Sequence, residues 1–422
     1  MSKKEYSSFA FLKKIYFVRT GGSPEELKAA ELIAGEVARL GGKASLESFE
    51  VDCTTIEKAE LSFTEPEMKI ECAGSGWSGS TPKRGVTGEF VYIGGKEELD
   101  MTDLCGKIVL FTAKRVPHKY YLKAVKEKAK GIILTTGSVY KDDAEVDLDP
   151  YINREPDYKE GKIPTVMIRM RDAEKLVEKM PKKAKLTLIA KDGKAESHNV
   201  VAEIEGSEKK DEVIVYTAHY DSVSFSKGAY DNGTGAIALL QTFDYFVKNP
   251  PKRTLRFIWC GSEEMGLLGS KAYVKAHEDE VKEKVVFNIN VDMLANTLGN
   301  DICCVTGELS LVNYIKLASR EVGHPIRVYQ GVYSSDSTPF ADAGVPAVSF
   351  ARMAPGGGAV IHSHDDVIER LSEDNYKKSC AFIALISARF VNAAFFPVDK
   401  KMPDNMKDEL DYYLLRKERP EK

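Results

Sequence analysis

The sequence predicts an α/β protein: a three-layer αβα domain around a central, mostly parallel mixed sheet, with a smaller β-rich insert. Three observations predict it. From His198 onward, short hydrophobic runs alternate with stretches at helical spacing, the pattern of a doubly wound sheet. Between about residues 53 and 195 the texture changes to short strands and turns with few long helices. Ahead of that change lies a well-delimited helix and one strand. At about 150 residues per domain, 422 residues accommodate a discontinuous domain (1–52 and 196–398), an insert (53–195) and a charged C-terminal tail (399–422).

Residues 24–41 read as one helix. Ser23 is placed as N-cap, Pro24 stands at the first helical position, Glu26 supplies the capping-box carboxylate and Gly41 stops it. Leu27, Ala30, Ile33, Ala34, Val37 and Leu40 recur at helical spacing, and a strand follows over 44–51. In the insert, GEFVYIGG, GKIVLFTAK, KGIILTTG, IPTVMIRM and AKLTLIAK read as strands. A short helix at 119–129 and a polar acidic loop over 140–161 lie between them, and His, Cys and carboxylates do not cluster there at ligand spacing. Beyond His198, strands are expected at 200–205, 212–218, 254–260, 285–291, 301–306, 326–330 and 346–351. Helices are expected at about 233–248, 265–277, 309–323 and 372–395, and the tail reads as a surface helix with a frayed end.

Composition narrows the function classes. Hydrophobic content of 43% with 29% charged residues is a soluble globular balance able to fill a sizeable core. A net charge of −4 gives no reason to expect nucleic acid or an anionic membrane as partner. Lys13 and Lys14 interrupt the first apolar run, so a secretory signal is not expected. The chain has no stretch of about 18 apolar residues that would span a bilayer. Seven cysteines without paired spacing suggest reduced thiols and a cytoplasmic location. Cys303 and Cys304, in the apolar run DICCVTG, read as core.

Polar residues gather where these strands end, which is where open α/β sheets build their sites. In IWCGSEEMGLLGS, Glu263 and Glu264 stand between a strand and a helix, and adjacent carboxylates repel unless a cation lies beside them. His219 ends the strand EVIVYTAH, with Asp221 placed to hold its second ring nitrogen. Asp231 sits in the glycine-rich turn GAYDNGTG, Asp292 ends the apolar strand FNINVD, and His362, His364, Asp365 and Asp366 follow in VIHSHDD. A lone histidine at a strand end is ordinarily structural, and a lone aspartate before a helix is ordinarily a cap. An unpaired carboxylate in an apolar strand is costly, however. His219, Asp231, Glu264, Asp292 and His362 together form a two-histidine, three-carboxylate set suited to zinc, with cobalt or manganese as alternatives. Two ions sharing a bridging carboxylate form the common hydrolytic pair. Asp231 is the natural bridge, and Glu263 is left as general base for water.

AHYDS, GAYDNGTG, GSEEMGLLGS, NVDM and HSHDD, in this order, resemble the co-catalytic di-zinc aminopeptidases, the clan that includes glutamate carboxypeptidase and transferrin-receptor-like proteins. The resemblance covers roughly 15–52 and 197–395, and the motifs together are highly specific. It implies one zinc on His219 and Asp292, another on Glu264 and His362, Asp231 bridging, Glu263 as general base and Asp221 supporting His219. The family's H-[ST]-x-x-D pattern selects His362 with Asp366, leaving His364 as runner-up beside the site. DLCGKIVLF, AKGIILTTG and IPTVMIRMRDAEKL resemble a protease-associated domain, which implies substrate covering or interaction.

The chain also departs from the family. A Ser-Asp-His pattern of some members reads here as Ser335-Asp336-Ser337, and the oxyanion-stabilising tyrosine has two candidates, Tyr333 and Tyr230. The expected function is an aminopeptidase acting on peptides. A carboxypeptidase or glutaminyl cyclase on the same scaffold is the alternative, with Arg352 the cation in reach. A non-catalytic receptor-like protein is a remote third reading, disfavoured because all ligands and the base are present. A homo-oligomer is possible.

Overall fold

The computed structural model describes residues 6–94, 103–150 and 155–418. It separates into two compact units, residues up to Val51 with those from Ala195 on, and Asp52–Lys194.

The first unit begins with a 3-10 helix, Ser8–Lys14, and helix α1, Pro24–Arg39. Ser23 Oγ caps α1 by accepting from Glu26 N at 3.1 Å. The Glu26 carboxylate does not close the reciprocal capping box expected from the sequence; it accepts from Gly22 N at 2.7 Å and turns elsewhere. The strands are β1 (Ala44–Thr64, of which residues to Val51 belong here), β2 (Lys183–Ile204, from Ala195), β3 (Lys209–His219), β4 (Arg253–Cys260), β5 (Val285–Val291), β6 (Asn300–Thr306), β7 (Ile326–Gln330) and β8 (Ala347–Met353). The sheet order is β7-β6-β8-β5-β3-β4-β2. Four of these six pairings are parallel; β6 with β8 and β4 with β2 are antiparallel. The expected mixed, mostly parallel sheet is therefore present.

Strand alternation makes the three layers. Ile214, Tyr216 and Ala218 of β3, with Leu255, Phe257 and Trp259 of β4, pack into one core. That core also takes residues of α1, α2 (Thr234–Lys248), α3 (Leu309–Val322) and α4 (Glu373–Asn392). Val213, Val215, Ile258 and Cys260 face the other way, against Tyr273, Val281 and Phe340. Successive strand residues point to opposite faces, so both faces must be apolar, as in buried parallel sheets. Cys303 and Cys304 are buried strand residues of β6.

The second unit holds a parallel set, Val86–Ile93, Ile108–Phe111, Gly131–Thr136 and Thr165–Arg169. Ala73–Gly74 and residues 183–186 pair antiparallel at its two edges. Its helices are His118–Lys126, Glu155–Glu160 and Met170–Lys179. The last of these follows directly from a strand, and the sequence reading gave it no helix of its own. Its propensity is ordinary, but Ala173 and Leu176 recur at i, i+3 and are buried. Among the described residues no helix is long and apolar enough to cross a membrane.

The tail forms the expected helix, Asp404–Tyr413, but not as a loose surface element. Met402, Met406 and Leu410 are buried against Ala341 and Ala347. Ser334 and Tyr413 share a 2.6 Å hydrogen bond, and Arg416 grips Asp342 with two bonds of 2.6 and 2.8 Å. Leu410→Ala should cost about 2–5 kcal/mol, the range for a buried leucine truncated to a cavity. Urea unfolding followed by tryptophan fluorescence measures it; a cost below about 0.5 kcal/mol would mean the tail is not anchored.

Candidate metal centre

Four neighbouring strands, β8, β5, β3 and β4, end on one edge of the first unit, and the polar residues named above meet there. His219 is the last residue of β3 and Asp292 follows β5 directly. Glu263 and Glu264 follow β4 after a two-residue turn in which Ser262 adopts φ 52°. His362 comes from the loop after β8, also left-handed at φ 52°.

The turn carrying Asp231 is knitted to the end of β5. Asn232 Nδ2 donates to Val291 O at 3.0 Å, and Asn232 Oδ1 accepts from Met293 N at 3.0 Å and Gly235 N at 2.8 Å. Thr234 Oγ1 accepts from Leu294 N and donates to Tyr230 O, each at 2.8 Å. The Asp231–Asn232 peptide is cis. The polar letters of GAYDNGTG thus bind this turn to the strand that presents Asp292. At Gly228 (φ 53°) a Cβ would stand 2.5 Å from Asp231 O, so only glycine lets this turn close.

Asp231 lies between the two imidazoles. Its Oδ1 is 3.3 Å from His219 Nε2 and its Oδ2 is 3.4 Å from His362 Nε2. Asp292 Oδ1 approaches His219 Nε2 at 3.6 Å, and Glu264 Oε2 approaches His362 Nε2 at 2.9 Å. Ligand atoms of His219, Asp231 and Glu264 lie within 4.8 Å of one another. Glu263 Oε2 is 3.9 Å from His219 Nε2. His364 is exposed, 3.7 Å from Asp365, so the geometry brings together His362 and not the runner-up.

Two further aspartates hold the main chain beneath these groups. Asp221 Oδ1 is 3.4 Å from His219 Nδ1, and the same carboxylate accepts from the backbone N–H of Glu263 (3.0 Å) and Glu264 (3.1 Å). Asp366 does the equivalent for Tyr230 (2.6 Å) and Asp231 (3.0 Å). The sequence showed Asp221 and Asp366 as motif members; their grip on paired N–H groups is visible only in three dimensions. Arg19 was not recognised as a site neighbour, because it lies in no motif, and Asp336 was noted only as part of the departure Ser335-Asp336-Ser337. Arg19 is fully buried, and burial lowers its pKa to about 10 against the pull of Asp221, Asp366, Asp231 and Glu264. Asp336 is fully buried without a hydrogen bond to either oxygen.

The electrostatics indicate a shortage of positive charge. Burial raises Glu263 well above the usual carboxylate range, with Asp336, Glu264 and Asp292 adding to it against His219. Burial and Asp231 push Glu264 up to about 7, with His362 opposing. Burial likewise raises Asp292. Asp231 is held below its ordinary value despite burial, because His219 and His362 bond to it. His219 is disfavoured as a cation by burial, yet Glu263 and its bonded aspartates hold its pKa well above 6.5. Asp292 Oδ1 is buried with no hydrogen-bond partner. Carboxylates crowded this way, interleaved with two imidazoles, fit a divalent cation: the donors are hard and borderline, and an ion would satisfy the orphaned oxygen.

Both tyrosine candidates are located. Tyr230 Oη donates to Arg352 O at 2.6 Å and accepts from Asn296 at 2.9 Å, so its hydroxyl is committed. Tyr333 Oη has a weak 3.8 Å contact to Met353 Sδ. Its pKa is raised by burial and by Asp292, Tyr230 and Asp231. The Arg352 guanidinium is bound to Asp301 at 2.9 Å and to Asn296 O at 2.9 Å, and so is not free to receive a substrate carboxylate.

The signs fix a pH dependence. Glu264 moves from 4.5 to about 7, and Asp336 and Asp366 move from 3.8 to about 6, each chiefly by burial. A raised folded pKa contributes stability that is complete below the unfolded value and is lost as pH rises through the folded one. His219, also raised, works in the same direction, whereas Asp231 acts only below about pH 4. Metal-stripped protein should therefore lose urea resistance steadily from pH 4 to 7, and added zinc should restore most at the upper end. A flat or rising profile for the stripped protein would contradict this account of the site.

Comparisons with known proteins agree with this geometry. Residues 199–386 match the profile of Peptidase family M28. Aminopeptidase YwaD of Bacillus subtilis (strain 168) is 28% identical over 90% of this chain and 82% of its own length. Carboxypeptidase Q of Homo sapiens is 25% identical over 91% and 84%. Among solved structures, a zinc aminopeptidase from Bacillus subtilis superposes with a TM-score of 0.75 at 26% identity, covering 95% of this chain and 98% of that one.

Proposed function

The chain belongs to peptidase family M28, a family of zinc peptidases, and we propose that it is an aminopeptidase that hydrolyses the N-terminal peptide bond of peptides at a two-zinc centre. The observation that carries the reading is Asp231, whose two oxygens face two different imidazoles, with one further carboxylate beside each. His219, Asp292 and Asp231 would hold one ion, and Asp231, Glu264 and His362 the other. Ions there would supply positive charge that polarises a scissile carbonyl and acidifies water.

The chain's own groups do the rest. Of the adjacent pair Glu263 and Glu264, Glu263 is the one left without a ligand role; its carboxylate stands 3.9 Å from His219 Nε2, and its main-chain N–H is fixed by Asp221. Its raised proton affinity suits a base that takes a proton from the attacking water and returns it to the leaving amine. Asp221 accepts from the two glutamate N–H groups and, with Oδ1 3.4 Å from His219 Nδ1, is placed to set the His219 tautomer. Tyr333 Oη, engaged by a weak 3.8 Å bond to Met353 Sδ, is the donor suited to the oxyanion. The acidic surroundings favour a substrate ammonium group over a carboxylate. With Arg352 committed to Asp301, the carboxypeptidase reading loses its cation.

We also read residues 52–194 as a protease-associated-like insert, on its strand–helix pattern. A cytoplasmic location is supported by all seven cysteines being free.

Glu263→Gln should lower kcat by about 10²–10⁴-fold while zinc content by plasma emission spectrometry stays near the wild-type value. Turnover equal to wild type would remove Glu263 from the mechanism, and N-acetylated substrates cleaved as fast as free ones would remove the aminopeptidase reading. Tyr333→Phe should cost about 10²–10³-fold in kcat if it donates to the oxyanion. Tyr230→Phe should instead act mainly on thermal stability. The two variants assayed side by side decide between the tyrosines.

A further inference from the structure

The eight residues from Arg19 to Glu26 cross the first unit at the base of the candidate centre, and each end of the segment is anchored to a different loop. At one end the Arg19 guanidinium, fully buried, gives its hydrogen bonds to main-chain carbonyls alone: Ile15 (3.0 Å), Phe17 (3.1 Å), Tyr220, Lys227 (2.5 Å) and Gly228 (2.8 Å). Arg19 N also donates to Ser222 Oγ at 3.2 Å, and Ser222 N returns a bond to Arg19 O at 3.2 Å. These partners bracket the loop between His219 and Asp231. At the other end the Glu26 carboxylate, also fully buried, accepts from Ser262 N (2.7 Å), Ser262 Oγ (3.1 Å) and Ser197 Oγ (3.0 Å), besides Gly22 N. Ser262 is the left-handed residue that turns the chain into Glu263. The two loops leave paired strands and are already joined above by Asp221, which accepts from Glu263 N and Glu264 N; the Arg19–Glu26 segment braces the same two loops from beneath.

A guanidinium buried on carbonyls is an expensive way to fill space, since an apolar side chain would need no desolvation. Its charge is useful where it stands, behind a cluster of acids, and its planar fork spans several carbonyls that a lysine could not reach together. We propose that Arg19 and Glu26 are positioning residues for the hydrolytic centre. Arg19 fixes the loop between His219 and Asp231, Glu26 fixes the turn that aims Glu263 and Glu264, and the tight Thr20–Ser23 link between them sets the spacing. The proposal rests on the zinc-hydrolase reading of that centre.

Gly21 gives a test that removes no charge and no hydrogen bond. A Cβ there would stand 2.4 Å from Ser262 Oγ, 2.9 Å from Ser262 Cβ and 2.7 Å from Met265 Sδ. Gly21 lies outside the left-handed region, so crowding alone is at issue. Gly21→Ala should lower kcat by roughly 10–100-fold with KM little changed, as expected for a displaced catalytic group. Zinc affinity, measured by chelator competition, should weaken by about tenfold, while the melting temperature of the stripped protein stays near that of wild type. Adding Ser262→Gly removes two of the three atoms struck, leaves only the end of the flexible Met265 side chain to shift, and keeps the Ser262 N–H bond to Glu26, so it should return kcat to within about tenfold of wild type. Gly21→Ala with wild-type kcat and zinc affinity overturns the proposal, and so does a loss that Ser262→Gly fails to relieve. If Gly21→Ala does not fold, Arg19→Lys replaces it, with the same split between kcat and KM expected; wild-type kcat and zinc affinity in that variant overturn the proposal equally. Wild-type protein that neither binds zinc nor cleaves peptides would sink the functional reading, and the proposal with it. Variants matching an active, zinc-binding wild type sink the proposal alone.

Discussion

Everything at the carboxyl edge of the first unit's sheet is arranged around the mutual repulsion of buried carboxylates. Asp221, Asp231, Asp292, Asp336 and Asp366 are each buried, and Glu263 and Glu264 stand among them. In a poorly polarisable interior such charges interact several-fold more strongly than in water. The chain responds with every source of positive potential it has. Two imidazoles are interleaved with the acids, a guanidinium lies behind them, and paired backbone N–H groups are turned toward Asp221 and Asp366. These donors fix the carboxylates without neutralising them. The remaining deficit suits the chamber to a divalent cation.

The same constraint explains the unusual backbone. Ser262, Met293, Ala295 and His362 all have positive φ, a conformation that costs non-glycine residues free energy and persists only when surroundings over-determine it. Each lies within a few residues of a candidate ligand. At Ser262 and Met293 the hydrogen bonds of Glu26 and Asn232 supply that over-determination. The tail contributes at one remove: it packs under the segment that carries Tyr333 and Asp336, so a helix far along the chain helps set the wall of the site.

Much of this was legible in the sequence. The αβα layers followed from apolar strands alternating with amphipathic helices, and the strand positions beyond His198 matched closely because strands buried on both faces are continuous hydrophobic runs. The seven motif residues named from the sequence do converge, since four of their motifs terminate strands that the sheet places side by side. Other features were not legible for physical reasons. Glu26 satisfied a capping-box pattern, and local spacing could not reveal that its carboxylate would bond Ser262 instead. Arg19 stands in VRTGG, a stretch with no period and no motif. Its partners are carbonyls, which every residue has, so no residue type marks the contact. Arg352 looked like a cation near the site, and only the position of Asp301 shows that it is already paired.

The loop of His362 has a consequence for how the centre is built during synthesis. A nascent chain that has reached residue 300 already contains Arg19, Glu26, His219, Asp231, Glu264 and Asp292. It lacks β8, the strand between β5 and β6 in the finished sheet, and the half-exposed imidazole of His362. Arg19 and Glu26, which brace the loops from beneath, are therefore synthesised first, and His362 comes last together with Asp366, which holds the Asp231 turn.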